Sequence, residues 1–193
     1  MLSSEEIFAV LKDKDALLEG HFLLTSGRHA GYYMQCARLL QYPEAAGALC
    51  EQLAQMFADQ QIDVVIGPAT GAIIIAYEVA RALKAKALFT ERDNGMMCLR
   101  RGFEIKQGAR VLVVEDVVTT GGSVKEVIEV AKSYNANVVG VGLLVDRSNG
   151  KIDFGVPLKA LVSMEIESFE ASDCPLCKEG KIELTKPGSR QVK

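Results

Sequence analysis

A chain of 193 residues is one ordinary domain, long enough to bury a full core without disulfide or metal staples. Its 49% hydrophobic and 24% charged residues exclude a disordered chain, and a formal net charge of -3 supplies no cationic excess for a nucleic-acid partner. Apolar runs around Ile73–Ala76 and Val138–Val145 are far shorter than a bilayer span, so no membrane partner is expected. An acidic N-terminal start and an odd count of five cysteines fit a cytoplasmic, reducing location.

In chain order, Ser3-Ser-Glu-Glu6 has capping-box spacing, and the apolar residues Ile7, Val10, Leu11, Leu17 and Leu18 predict a helix running to Gly20. Short strands are expected over His21–Thr25 and Tyr32–Gln35, around a Ser26–His29 turn in which His29 reads as a turn residue. Pro43 suits the first turn of a second helix with Leu49, Cys50, Leu53, Met56 and Phe57 as its apolar stripe. Asp63–Ile66 reads as a buried strand, Gly67-Pro-Ala-Thr-Gly71 as a loop, and Ala72–Leu83 as a helix. A strand at Ala87–Thr90 leads into a polar stretch through Gly102, where Asp93–Arg101 is expected to be a mobile loop and Met96-Met97 filler. Arg110–Val114 is a second buried strand, followed by an acidic and hydroxyl-rich loop and a helix to about Ser133. Asn137–Val145 and Leu158–Ser163 complete the strands. Short apolar strands alternating with helices predict an α/β fold, a mostly parallel central sheet with helices on both faces. Residues 1–40 form a small N-terminal hood and residues 165–193 a C-terminal appendage, all within one domain spanning 1–193. Ligands in such sheets bind beyond the carboxyl ends of the strands.

The densest chemistry lies in Val111-Leu-Val-Val-Glu-Asp-Val-Val-Thr-Thr-Gly-Gly-Ser123. Glu115 and Asp116 are carboxylates at a strand end, where burial without a partner is costly. Thr119, Thr120 and Ser123 bring hydroxyls, Gly121 and Gly122 let the backbone approach an anion, and the next helix aims its free amides at the loop. A phosphate cradle beside carboxylates that can bind vicinal hydroxyls suits a phosphorylated sugar. Neither a P-loop nor a dinucleotide-binding glycine pattern is present. Cys174-Pro-Leu-Cys177 is half a zinc knuckle or a redox pair. No second such pair and no His follows it, so a reduced turn is the default reading, although two copies across a dimer could supply four ligands.

The Val111–Ser123 stretch resembles the phosphoribosyl pyrophosphate signature of the type I phosphoribosyltransferases. The resemblance implies that Glu115 and Asp116 hold the ribose 2- and 3-hydroxyls, that Thr119, Thr120, Gly121, Gly122 and Ser123 wrap the 5-phosphate, and that Val117 and Val118 belong to the same phosphoribosyl pyrophosphate-binding stretch. Within the family, the chain is most similar to members that use orotate. Gly20–Tyr33 resembles their hood, and Gly67–Gly71 their pyrophosphate loop, which often holds a non-proline cis peptide and brings Thr70 and Gly71 to the substrate. Val145-Asp-Arg147 resembles the strand end that contacts orotate, with Thr119 and Tyr33 as further contacts. Cys174–Lys178 with Pro187-Gly-Ser-Arg190 resembles the tail of a subgroup. The loop carries Arg92, Arg100 and Arg101 where the family has lysines and a histidine, so these are the expected catalytic cations. The implied partners are orotate and phosphoribosyl pyrophosphate, in a homodimer. The implied cofactor is Mg²⁺, held by substrate and water with no direct protein ligand. A purine transferase and a non-catalytic binder of the same sugar phosphate are the alternatives. An ion pair of Arg147 with Asp146 or Asp153 would remove it from base binding.

Overall fold

The structure, a computed structural model, describes residues 1–187. Pro187 is thus the only residue of the Pro187–Arg190 motif among the described residues. A six-stranded sheet has the order β5-β4-β3-β6-β7-β8. Its strands are β3 Val64–Pro68, β4 Lys86–Asp93, β5 Met96–Leu99, β6 Arg110–Val118, β7 Asn137–Asp146 and β8 Leu158–Ser163. All neighbours are parallel except β5, which runs antiparallel to β4. The expected α/β class with a mostly parallel sheet is therefore what the chain adopts.

The central strands are apolar without a break because both faces are covered. Val65, Leu112, Val114 and Leu144 point into one cluster with helices α1 (Ser4–Asp13), α3 (Pro43–Gln55) and α4 (Ala72–Leu83). Their chain neighbours Val64, Ile66, Val111, Val113 and Leu143 point into the other, against Val124, Val127, Ile128 and Ala131 of α5 (Gly122–Ser133). This period of two divides one apolar run between two cores. The α4 and α5 ranges and the β8 range agree with the sequence reading, whereas α2 (Ala37–Leu40) was not foreseen.

Five expectations need correction. His29, expected in a turn, is buried at the start of strand β2 (His29–Met34). The first helix stops at Asp13, not Gly20. Asp15 turns left-handed (φ 52°), and Leu17-Leu18 open strand β1 (Leu17–Leu23), paired antiparallel to β2 (His29–Met34). The capping box itself forms, with Ser3 Oγ accepting from the Glu6 amide at 3.2 Å and Glu6 Oε2 from the Ser3 amide at 2.7 Å. The segment read as a mobile loop is a β4–β5 hairpin, turned at Asn94-Gly95, where both residues have positive φ. Strand β6 continues through Glu115 and Asp116 to Val118, because β7 pairs with it as far as Asp146. Lastly, the C-terminal segment joins the hood and not the central sheet. Strands β9 (Ser168–Phe169) and β10 (Leu184–Thr185) add to the two edges of the β1–β2 hairpin, giving a second sheet of order β10-β1-β2-β9.

Candidate active site

Three loops meet at the carboxyl edge of the central sheet, after β3, β6 and β7. They line a cleft of ≈ 670 Å³ over the β6–α5 loop, and a larger hollow of ≈ 1060 Å³ under the hood. The two share Thr70, Gly71, Asp116, Val117, Thr119 and Thr120, so they form one continuous site.

The β6–α5 loop is built as an anion cradle. Val118 is buried in the α5-side core and Val117 packs on the other, so these side chains anchor the loop while the backbone faces the cleft. Gly121 has φ +73° and a Cβ there would lie 2.9 Å from the Phe154 ring, so only glycine fits. Thr119 and Thr120 are exposed at the tip, and Ser123 sits in the first turn of α5, whose unpaired amides open on the cleft.

Glu115 and Asp116 lie in the floor. Glu115 Oε1 accepts from the Asp116 amide at 3.2 Å, and Asp116 Oδ1 accepts from the Val117 amide at 2.7 Å. Burial, with the neighbouring Asp116 charge adding to it, pushes Glu115 up to about 8; burial also raises Asp116 above the usual carboxylate range. A buried pair of this kind needs hydroxyl donors or a cation to be comfortable as anions. The β3–α4 loop closes over it. The Ala69–Thr70 peptide is cis, as the resemblance implied. A Cβ on Gly71 would approach Asp116 Oδ2 to 2.9 Å, and one on Gly67 would meet Ala72 Cβ at 2.5 Å and the Val114 carbonyl at 2.7 Å. Both glycines are there for close approach, of loop to carboxylate and of helix to strand.

Under the hood, Arg147 and Tyr33 line the same hollow as Thr119. The Arg147 amide donates to the Val118 carbonyl at 2.8 Å, tying the two loops together. Its Nε is buried and without a hydrogen-bond partner among the described residues, and burial lowers its guanidinium below the ordinary arginine value. The ion pair with Asp146 does not form, since Asp146 Oδ1 instead accepts from the Ser148 amide at 2.7 Å, and no pair with Asp153 is found among the described residues. A desolvated, unpaired guanidinium lining the hollow is a site for a carboxylate.

The three candidate cations separate. Arg92 lines the cleft, donating to the Gly95 carbonyl at 2.7 Å and pairing with Glu126 at 2.6 Å. Arg100 lies 3.9 Å from Asp93, and Arg101 forks onto Glu91 at 2.7 and 2.8 Å. Neither lines the cleft. Glu126, Thr25, Ser26 and Cys36 line the site without having been singled out from the sequence. Glu126 could have been found, because it follows Ser123 by three residues on one helix face. Cys36 is buried, and burial together with the Asp116 and Glu115 charges pushes its thiol well up, so it is no nucleophile.

Residues 37–155 match the phosphoribosyl transferase domain. The orotate phosphoribosyltransferase of Caldicellulosiruptor bescii is 57% identical over 190 residues, covering 98% of this chain and 100% of that protein. That of Thermotoga maritima is 54% identical over 184 residues, covering 95% and 98%. The crystal structure of orotate phosphoribosyltransferase from Aeropyrum pernix superposes with a TM-score of 0.69 at 30% identity, covering 81% of this chain and 92% of that one.

Proposed function

The chain belongs to the phosphoribosyltransferase family, and from that premise we propose that it transfers the 5-phosphoribosyl group of phosphoribosyl pyrophosphate to orotate. The products are orotidine 5'-monophosphate and pyrophosphate, on the route to UMP. The observation that carries the choice of base is Arg147: a half-buried guanidinium with an unpartnered N–H, in the hollow next to the sugar-phosphate cradle. Orotate differs from uracil by one ionised ring carboxylate, and a purine has none. Such a cation therefore favours orotate over both, and over a purely sugar-binding role.

In this reading the amides and hydroxyls of Thr119–Ser123 hold the 5-phosphate at the α5 terminus. Glu115 and Asp116 accept the ribose 2- and 3-hydroxyls and fix C1 between cleft and hollow. Thr70, Gly71 and Arg92 face the leaving pyrophosphate, and Tyr33 and Thr119 flank the base. A ring nitrogen of orotate forms the new bond to C1 as the C1–oxygen bond to pyrophosphate breaks. Positive charge builds on the sugar, where the nearby carboxylates stabilise it, and negative charge on the leaving group, where Arg92 does. No protein nucleophile is needed.

A magnesium ion fits this donor set, which is oxygen throughout and suits a hard cation. It would be held mainly by substrate oxygens and water, with Glu115 and Asp116 as the nearby carboxylates, and it would neutralise charge on the pyrophosphate. We also propose a cytoplasmic homodimer. Exposed Ile74 and Tyr77, three residues apart on α4, give an apolar patch beside the site, and sedimentation across a range of concentrations tests for the dimer.

The experiment is a spectrophotometric assay of orotate consumption with phosphoribosyl pyrophosphate, run with and without Mg²⁺. Uracil, adenine and guanine are alternative acceptors. Turnover of orotate in preference to these is expected. No turnover, or preference for an uncharged base, rejects the reading.

A further inference from the structure

The hood holds a polar cluster that the transfer reaction does not use. His21 of β1 and His29 of β2 meet across the hairpin, both buried, and Cys174 and Cys177 reach them from α6 (Pro175–Glu179) and its N-terminal flank. The four ligand atoms all lie within 4.8 Å of one another. His21 Nε2 is 3.0 Å from His29 Nδ1, 3.5 Å from Cys174 Sγ and 3.6 Å from Cys177 Sγ, and Cys177 Sγ is 3.2 Å from His29 Nδ1. A tetrahedral zinc ion with nitrogens at about 2.0 Å and sulfurs at about 2.3 Å has edges of roughly 3.3–3.8 Å. These four spacings are within a few tenths of an ångström of that range, and the two remaining pairs lie no more than 4.8 Å apart.

Hydrogen bonding alone does not account for this convergence. His21 Nδ1 lies 3.2 Å from the Ile182 carbonyl, and donating there leaves Nε2 a single lone pair. Three groups crowd that lone pair, and no carboxylate of the described residues joins the set. A cation at the centre uses the Nε2 lone pair, the His29 Nδ1 lone pair and two thiolates, whose charges neutralise a divalent ion. The Ile182 carbonyl is then the outer partner that fixes the ring of a metal-bound histidine. Cys174 is buried, whereas Cys177 is exposed and gives the ion a way in. Two sulfurs and two imidazoles select zinc over the hard magnesium ion of the substrate site.

We propose that His21, His29, Cys174 and Cys177 form a structural zinc site within one chain. It clips the C-terminal segment onto the N-terminal hairpin. The placement gives the clip a purpose. The flanking strands β9 and β10 pair only two residues each with the hairpin edges, too little to hold the segment by themselves. The same hairpin and its turn supply Thr25, Ser26 and Tyr33 to the hollow under the hood, so fastening the tail also fixes a wall of the site.

The test is metal content of the full-length chain, freed of any purification tag and exhaustively desalted. Mass spectrometry should find about one zinc per chain, and Cys177→Ser should retain less than half of it. Chelation should lower the Tm of the wild type by on the order of 5–10 °C and leave the Cys177→Ser and His29→Gln variants nearly unmoved. Cobalt added to the metal-free protein should give visible d–d bands and a thiolate charge-transfer band. Folded wild-type protein without zinc and without cobalt bands would overturn the proposal. So would zinc content unchanged in both variants, or a Cys174–Cys177 disulfide in protein purified under reducing conditions.

Discussion

Arg147 and Glu115 show how much one side chain's surroundings decide. Arg147 is half-buried, lines the hollow and makes no ion pair among the described residues, so truncating it removes the partner of an incoming carboxylate without opening the core. Arg147→Ala should cost about 2–5 kcal/mol in kcat/KM for orotate, the range for losing one member of a buried charge pair, and far less for phosphoribosyl pyrophosphate. Arg147→Lys should recover little, because an ammonium lacks the planar fork. Steady-state kinetics with each substrate varied in turn checks both, and an equal loss for the two substrates would count against base recognition. Glu115 makes a different prediction. Its carboxyl titrates near 4.5 when unfolded and at about 8 in the fold, through burial and the Asp116 charge. The folded state thus keeps the proton longer, and stability is lost as pH rises from 4.5 to 8. Glu115→Gln has no proton to give up there. Its Tm should decline less than that of the wild type across this window, and calorimetry at pH 5 and pH 8 decides the point.

At the level of elements, the β4–β5 hairpin sorts its arginines. Arg92, on β4, pairs with Glu126 of α5 and faces the cleft, whereas Arg101, just past β5, is held by Glu91 on the outside. Arg92→Ala should lower kcat/KM for phosphoribosyl pyrophosphate by roughly ten- to a hundredfold, the worth of a charged hydrogen bond at about 1.5–3 kcal/mol. Arg101→Ala removes an exposed ion pair and should change stability by no more than about 1 kcal/mol. The reverse ranking in a kinetic comparison would show that the hairpin rearranges over substrate and brings Arg101 in. Within this hairpin the strand signal at Ala87–Thr90 was legible from its apolar residues. Strand β5 was not, because Met96–Leu99 has one exposed edge and no alternation, and it becomes a strand only by pairing with β4.

For the molecule as a whole, the tail and the hood are one unit. Residues 165–187 cover both edges of the hairpin and supply two of the four clustered side chains. Truncation at Glu165 should therefore expose both hairpin edges and the buried histidines. The central sheet, whose two cores include none of the described residues after Met164, should remain folded. Hydrogen exchange should show lost protection in residues 17–34 and retained protection in β3, β6 and β7. KM for orotate should rise more than KM for phosphoribosyl pyrophosphate, since the hood lines only the base side of the site. Uniform loss of protection would mean that the tail supports the whole domain.

What the sequence determined by itself is the part written in local pattern. Unbroken apolar strands, helices bounded by caps and glycines, and a loop dense in acids, hydroxyls and glycines specify a parallel sheet with an anion cradle at its carboxyl edge. These signals survive without tertiary information because each depends on residues within one turn or one strand of each other. The tertiary structure alone decided the rest. Leu17-Leu18 satisfies a helix period but enters a strand, because the β2 partner is available and Asp15 breaks the helix. Arg147 makes no ion pair with Asp146 among the described residues, and Asp146 Oδ1 accepts from the Ser148 amide instead. His21 and His29 stand some 150 residues from Cys174 and Cys177, a separation no spacing rule bridges. They become one cluster only when the end of the chain folds back along the edges of its beginning.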